Sequence, residues 1–187
     1  MTTKQDNTHV CPWWLAYTFD NPLRRLVHNP QKMLGKYVKP GQTVADIGCG
    51  MGYFSLGLAR LVGPTGKVIS VDLQQKMLDR VWAQAGQQGL QERIRLHRCQ
   101  SNSIGVDEPV DFALAFWMVH EVPNREAFLI QVRNLLKPAA HLLVAEPKFH
   151  VSAADFQKTV ELARSIGLEQ SAEPKVSLSR AILFARN

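Results

Sequence analysis

Cysteine is scarce in this chain, which has only Cys11, Cys49 and Cys99, widely spaced and with no C-x-x-C pair. An odd number at such spacing argues against a disulfide framework, and the ligand spacing of the common zinc sites is missing. Long apolar runs are missing too: nowhere do about 18 apolar residues follow one another, so no membrane-spanning helix is predicted. The stretch from Met1 to His9 is polar where a secretory signal would carry an apolar core. These absences make a reduced, cytoplasmic location the expectation. Strong charge of one sign is also absent, since 22 Lys and Arg against 16 Asp and Glu leave a net charge of +6. Part of that excess lies early, where Lys4, Arg24, Arg25, Lys32, Lys36 and Lys39 stand against Asp6 and Asp20. No aromatic-interleaved basic motif accompanies them, so a solvated basic face is a plainer reading than a nucleic-acid surface.

What the chain does have is glycine on alternate positions. Thr43-Val44-Ala45-Asp46-Ile47-Gly48-Cys49-Gly50-Met51-Gly52 reads as a buried strand running into a glycine-rich turn, with a helix starting beyond. Glycine lets the backbone turn sharply and approach a ligand at distances that a Cβ forbids, which makes this a binding loop. A dinucleotide fingerprint of the G-x-G-x-x-G type would place its third small residue at Tyr53, a bulky aromatic; here the third glycine comes one residue early. Asp72 closes the β-rich run that begins at Lys67. In nucleotide-binding α/β folds a carboxylate at that strand end accepts hydrogen bonds from both hydroxyls of a ribose, and the alternative is a simple N-cap for the next helix.

The 187 residues are 45% hydrophobic and 20% charged, ordinary for one soluble domain that buries about 70% of its unfolded surface. Periodicity predicts two short helices within Leu23 to Val38, the second starting near Pro30, and a first strand over Thr43 to Ile47. Helix Tyr53 to Val62, strand Lys67 to Asp72, helix Gln74 to Gly86 and strand Ile94 to Arg98 follow. Val110 to Met118 is a nearly continuous apolar strand, as expected in the middle of a parallel sheet. Asn124 caps a helix through Leu136, a turn at Pro138 leads to strand Leu142 to Glu146, and Ser152 caps a helix that stops at Gly167. Leu168 to Val176 and Leu178 to Ala185 close the chain as an antiparallel pair. Alternating β and α segments imply an α/β fold with a parallel sheet covered by helices on both faces. The expected division is an N-terminal extension over residues 1–39 and a domain over residues 40–187.

Asp46-Ile47-Gly48-Cys49-Gly50-Met51-Gly52 resembles the D-x-G-x-G-x-G motif of the class I S-adenosylmethionine-dependent methyltransferases, whose loop wraps the methionine part of the cofactor. The resemblance covers residues 40–187 and implies a Rossmann-like seven-stranded sheet of order 3-2-1-4-5-7-6, with the seventh strand antiparallel. It implies S-adenosylmethionine as cofactor, held by Asp46, Gly48, Cys49, Gly50, Gly52, Tyr53, Asp72, Leu73, Met77, Gln100, Ser101, Phe116 and Trp117. At the turn Cys99 to Ser103 the family usually carries an acid that contacts the adenine; Gln100 and Ser101 would make such a contact with an amide or a hydroxyl.

Met118-Val119-His120-Glu121-Val122-Pro123-Asn124 resembles the small-molecule branch of that family, which includes the ubiquinone/menaquinone-type enzymes. His120, with Glu121 beside it, is the candidate general base, and the alternative is a histidine hydrogen-bonded to backbone at a strand tip. Glu146 would need a partner if buried; with Lys148 it is a candidate lining residue of the acceptor pocket. The aromatic stretch containing Trp13, Trp14 and Tyr17 would either close over that pocket or pad the outside of the sheet. His120, Glu121 and Glu146 lack the spacing of a metal set on one helix, so no metal is expected. Methyl transfer to a small molecule is the leading expectation. RNA or protein methylation is less so, because the Asn/Asp-Pro-Pro-Tyr/Phe tetrapeptide used for planar nitrogen acceptors is missing after the fourth strand. A protein that binds the cofactor without turnover is a third reading, and the early third glycine disfavours a dehydrogenase.

Overall fold

The structure, a computed structural model, describes residues 27–187. The expected lid residues Trp13, Trp14 and Tyr17, and most of the first expected leader helix, lie outside the described residues. Helix α1 (Pro30–Leu34) starts at Pro30 as expected, with the Asn29 side chain accepting from the Lys32 amide at 3.1 Å and Pro30 in the first turn. Strand β1 (Thr43–Ile47) leads through the glycine loop into α2 (Tyr53–Val62), and β2 (Lys67–Asp72) into α3 (Gln75–Gln87). Then come β3 (Ile94–Arg98), β4 (Val110–Phe116), α4 (Arg125–Leu135), β5 (Leu136–Pro147), α5 (Ala153–Ser165), β6 (Leu168–Ala172) and β7 (Ser179–Arg186).

The seven strands form one sheet in the order β3-β2-β1-β4-β5-β7-β6. All neighbours from β3 through β5 are parallel, while β7 runs antiparallel to both β5 and β6. This is the class I methyltransferase order that the resemblance implied. The order reverses at β1, whose partners are β2 on one side and β4 on the other, and ligands of open α/β sheets bind in the crevice at such a switch point, beyond the carboxyl ends of the strands. Because β7 is antiparallel, its first residues arrive at that same edge, with Ser179 opposite Pro147 and Arg180 opposite Glu146.

Alternation along the strands splits the core into two layers. Val44, Val68, Phe112 and Leu114 pack with Leu34 of α1, Phe54 and Leu58 of α2, and Leu78 and Val81 of α3. Ala45, Ile69, Ala113 and Leu142 face the other way onto Phe128, Leu129 and Val132 of α4 and Val160 and Ala163 of α5. Helix α1 seats closely on α2: a Cβ placed on Gly57 would lie 2.3 Å from the Cβ of Pro30. Among the described residues no helix is long and apolar enough to cross a membrane.

The strand boundaries differ from expectation in three places, while helix ends shift by a residue. Strand β4 stops at Phe116 rather than Met118, because Trp117 takes a left-handed backbone with φ 59°. Strand β5 starts at Leu136 rather than Leu142; the Pro138 turn is absorbed as an irregularity around Ala139 (φ 61°), where the register against β4 shifts. The closing strands are shorter at their junction, which leaves residues 173–178 as a connection with Val176 buried in the core.

Candidate active site

The glycine loop is built from backbone. The amides of Gly48 and Cys49 both donate to the carbonyl of Val71 at 2.9 Å, tying the loop to the end of β2. The Gly52 amide donates to the carbonyl of Cys49 at 3.0 Å, which closes the turn, and the Gly52 carbonyl accepts from Leu56 to open α2. Gly48, Gly50 and Gly52 all sit at positive φ, at 70°, 52° and 89°. A Cβ on Gly48 would lie 2.7 Å from Met118 Cγ, and one on Gly52 2.8 Å from Val81 Cγ2, so these two are glycine for packing as well as conformation. At Gly50 a Cβ would meet nothing within 4 Å. The loop therefore presents an open backbone face at its middle glycine.

Beneath the loop runs a short polar chain. Ser70 Oγ donates to Ser55 Oγ at 2.8 Å, and Ser55 Oγ donates to Asp46 Oδ2 at 2.6 Å. Asp46 is 2% exposed, so its carboxylate holds β1, β2 and α2 in relation to one another from below the loop. Cys49 is buried, and burial, reinforced by the nearby carboxylates of Asp46 and Asp72, pushes its thiol well above the usual range and keeps it protonated.

Asp72 stands at the end of β2, 8% exposed. One oxygen accepts from the Gly50 amide at 2.9 Å and the other from the Gln74 amide at 2.9 Å. Asp72 thus braces the approach to α3 without being its N-cap, which is Gln74, and also touches the open loop residue. Burial raises its carboxyl above the usual range, against the opposing pull of the Gln74, Gly50 and Leu73 amides. Met77 is buried in the first turn of α3, and Leu73 is half-buried beside Asp72. Gln100 and Ser101 are exposed in a tight turn closed by the Gln100 and Ser103 backbones.

The fourth strand ends in aromatic rings. Phe116 stacks on Trp117 with centroids 5.3 Å apart, and Phe54 of α2 lies 4.4 Å from Phe116. His28, 1% exposed, meets both Phe116 and Trp117 edge-on, and its Nε2 donates to the Ser177 carbonyl at 2.7 Å. Tyr53 donates to the His28 carbonyl at 2.8 Å. Trp117 is held in its left-handed backbone by two bonds, its amide to the Ala145 carbonyl and its indole N–H to Ser179 Oγ, both 2.8 Å. Such a conformation costs about 1–3 kcal/mol for a residue with a Cβ. It turns the chain out of β4 into the 3₁₀ turn Val119–Glu121, which doubles back over the end of β5.

That turn brings His120 onto Glu146. The carboxylate of Glu146 is 2% exposed; Oε1 accepts from the Val119 amide at 2.8 Å and Oε2 pairs with His120 Nδ1. The partner a buried Glu146 would need is therefore His120 together with a backbone amide. Glu121 Oε1 lies 3.9 Å from His120 Nε2, and the His150 ring is 4.8 Å from the His120 ring. Burial is the largest single influence on His120 and pulls its pKa down, yet the Glu146 hydrogen bond and charge, aided by Glu121, outweigh it and leave the imidazole above its usual range. Lys148, Phe149 and His150 form the exposed turn after β5, with Phe149 edge-on to Trp117 at 5.5 Å.

A family model described as a methyltransferase domain matches residues 38–176. The chain belongs to the methyltransferase-domain family. It is 32% identical over 110 residues to a demethylmenaquinone methyltransferase of Lactobacillus johnsonii, covering 58% of this chain and 45% of that protein. A 2-phytyl-1,4-naphtoquinone methyltransferase of Trichormus variabilis is 32% identical over 115 residues, covering 60% and 48%. The chain thus spans about half the length of these curated relatives. A crystal structure of a SAM-dependent methyltransferase from Aquifex aeolicus superposes with a TM-score of 0.83 at 22% identity, covering 94% of this chain and 98% of that one, and so shares the fold.

S-adenosylmethionine is the cofactor that the sequence resemblance implies, and the superposed Aquifex aeolicus structure is that of a SAM-dependent enzyme. An unobstructed left-handed glycine with a strand-end carboxylate touching its amide places open backbone and a charge-bearing acceptor side by side, at the sheet's switch point. Sequence reasoning missed Ser55, Ser70, Ser179 and His28. Serines inside a helix or strand and a histidine in a leader carry no motif; only their partners, drawn from distant segments, mark them.

Proposed function

We propose that this methyltransferase domain transfers a methyl group from S-adenosylmethionine to a small-molecule acceptor. The observation that carries the reading is the adjacency of two features: Met118, two residues past the end of β4, packs on the glycine loop at Gly48, and two residues on stands a histidine locked to a buried carboxylate. When bound, S-adenosylmethionine supplies a methyl group on a sulfonium leaving group, and in-line displacement asks the protein mainly for alignment and exclusion of water. The backbone of Gly48, Cys49, Gly50 and Gly52 would hold the amino-acid end, with Asp46 positioning the loop from below. Asp72 would take the ribose hydroxyls in place of part of its present amide bonding, and Leu73, Met77, Gln100 and Ser101 would border the adenine. Tyr53, Phe116 and Trp117 would form the apolar wall next to the reacting centre.

The named activities of the quinone-methylating relatives support an acceptor that is a small ring compound, and the aromatic wall of Phe116, Trp117 and Phe149 suits a flat apolar face. Lys148, and Trp13, Trp14 and Tyr17 outside the described residues, would border the acceptor. A cytoplasmic location suits the free Cys49 and Cys99. Incubation with methyl-labelled S-adenosylmethionine, a short-chain demethylmenaquinol and fractionated extract tests the reading. Label is expected in low-molecular-weight products; label only in RNA or protein, or in nothing, would overturn it.

A further inference from the structure

We infer that Glu146 is a positioning residue that presents His120 Nε2 as a proton acceptor, so that the acceptors this site methylates are those whose nucleophilic atom carries a proton. The inference rests on the proposed methyl transfer for its second half only. Both oxygens of Glu146 are engaged, one by the Val119 amide and one by His120 Nδ1, inside a carboxylate that is almost wholly shielded from water. A carboxylate only accepts, so Nδ1 must be the N–H of the ring. A neutral imidazole has one donor and one acceptor nitrogen, which leaves the lone pair on Nε2, at the side of the ring away from Glu146. His120 keeps 14% of its side chain exposed, so it is not sealed in the core.

Structural need alone does not call for a carboxylate here. A glutamine at 146 would satisfy the Val119 amide through its carbonyl oxygen, but its NH2 would donate to Nδ1 and send the ring proton to Nε2. The outward nitrogen would then be a donor, and the base would be lost. The same logic governs any histidine oriented by a buried acid. Charged and titratable groups face the ring from four other directions: Glu121 on its own turn, His150 after β5, Arg125 at the start of α4, and Asp155 in the first turn of α5, which pairs with Arg125 at 2.9 Å. Two acids near one imidazole favour the imidazolium that proton uptake creates, and Arg125, itself partly neutralised by Asp155, opposes it.

In the resulting step the acceptor's O–H or activated C–H bond breaks. Its proton goes to Nε2 and its electron pair forms the bond to the methyl carbon, while the C–S pair returns to sulfur; the sulfonium charge disappears as the imidazolium charge appears. An acceptor that is already an anion, such as a thiolate, needs no such base.

Two measurements on the full chain test this. ¹⁵N NMR of the imidazole should show wild-type His120 as the Nδ1–H tautomer above its titration, and Glu146→Gln should convert it to Nε2–H and lower its titration point. In single turnover with labelled S-adenosylmethionine, Glu146→Gln should slow methylation of a phenolic probe such as catechol by about 10²-fold or more, shift its pH profile, and slow methylation of thiophenolate far less. A wild-type Nε2–H tautomer, or a Glu146→Gln protein with unchanged tautomer and pH profile, would overturn the positioning role. Equal losses on catechol and thiophenolate would overturn the proton-bearing acceptor class. If wild type methylates neither probe nor any extract metabolite, the methyltransferase reading fails while the tautomer still decides what Glu146 does. The wild-type tautomer needs no variant, so poor folding of Glu146→Gln would not shield the inference.

Discussion

Gly48 and Gly50 are both left-handed, but a side chain at each would meet different surroundings. Alanine at 48 drives a methyl group into Met118 and adds a steric cost to the conformational one, whereas alanine at 50 meets only open space. We expect Gly50→Ala to lower unfolding free energy by about 1–2 kcal/mol, the left-handed penalty alone, and Gly48→Ala by more, both read from urea melts. Calorimetric titration should show that Gly50→Ala nonetheless loses most of its affinity for S-adenosylmethionine, because the proposed site seats the cofactor on that open face. A Gly50→Ala protein that binds the cofactor as wild type does would remove Gly50 from the site. His120→Gln is expected to cut turnover roughly 10²-fold or more, the usual share of a general base, with cofactor affinity little changed; equal turnover in steady-state assays would return His120 to a structural role.

At the scale of elements, the site depends on how α1 and the β4 tip are seated. Gly57 lets Pro30 approach α2 so closely that any Cβ must push α1 away, and α1 follows directly on His28, whose carbonyl anchors Tyr53 and whose ring abuts Phe116 and Trp117. Gly57→Ala would gain helix propensity but overpack this contact, so a net loss of about 1–3 kcal/mol is expected, seen as a lower urea midpoint at constant m-value. A rise in midpoint would mean that α1 shifts without resistance. On the other side Asn124 caps α4, its side chain accepting from the Ala127 amide at 3.0 Å just after the His120 turn. The aromatic ring at 117 holds a strained backbone because its indole and amide both find partners on β7 and β5, so this strain belongs to the sheet rather than to the loop.

Over the whole molecule, titrating groups set a pH window for stability. His120 is held above its usual pKa, so its contribution is complete below about pH 6.5, the unfolded value, and is lost as pH rises through the folded value. Asp155 and Glu108 are held low by Arg125 and Lys67, so their contributions are present above about pH 4 and are lost as pH falls through their folded values. Both come from half-buried pairs still reached by solvent, and are therefore weak. Asp72 acts in the opposite sense: burial raises it, so its ionisation opposes folding and stability is regained as pH falls through that raised value. Thermal melts should show Tm highest in the mildly acidic range and declining toward alkaline pH, with the alkaline decline reduced in Glu146→Gln. A Tm that climbs steadily from pH 6 to 9 would contradict the charged His120–Glu146 pair.

Local pattern in the chain determined the element types, the sheet's parallel character and the place of the glycine loop and Asp72, because period-2 and helical repeats, glycine spacing and a strand-end acid act over a few residues at a time. The helix start near Pro30 and the helix capped by Ser152 were legible for the same local reason, and each opens on a side chain bonded to an amide three residues on. Strand order itself came from resemblance and was then met in the sheet. What only the tertiary structure decided are pairings between residues far apart: Glu146 with His120, Ser179 with the indole of Trp117, Ser70 with Ser55 and Asp46, and His28 with Ser177. Their energies depend on burial and on distances set by the packing of β4, β5 and β7. Spacing along the chain says nothing of such distances, and so the pairing of Glu146 with His120 is visible only in the folded sheet.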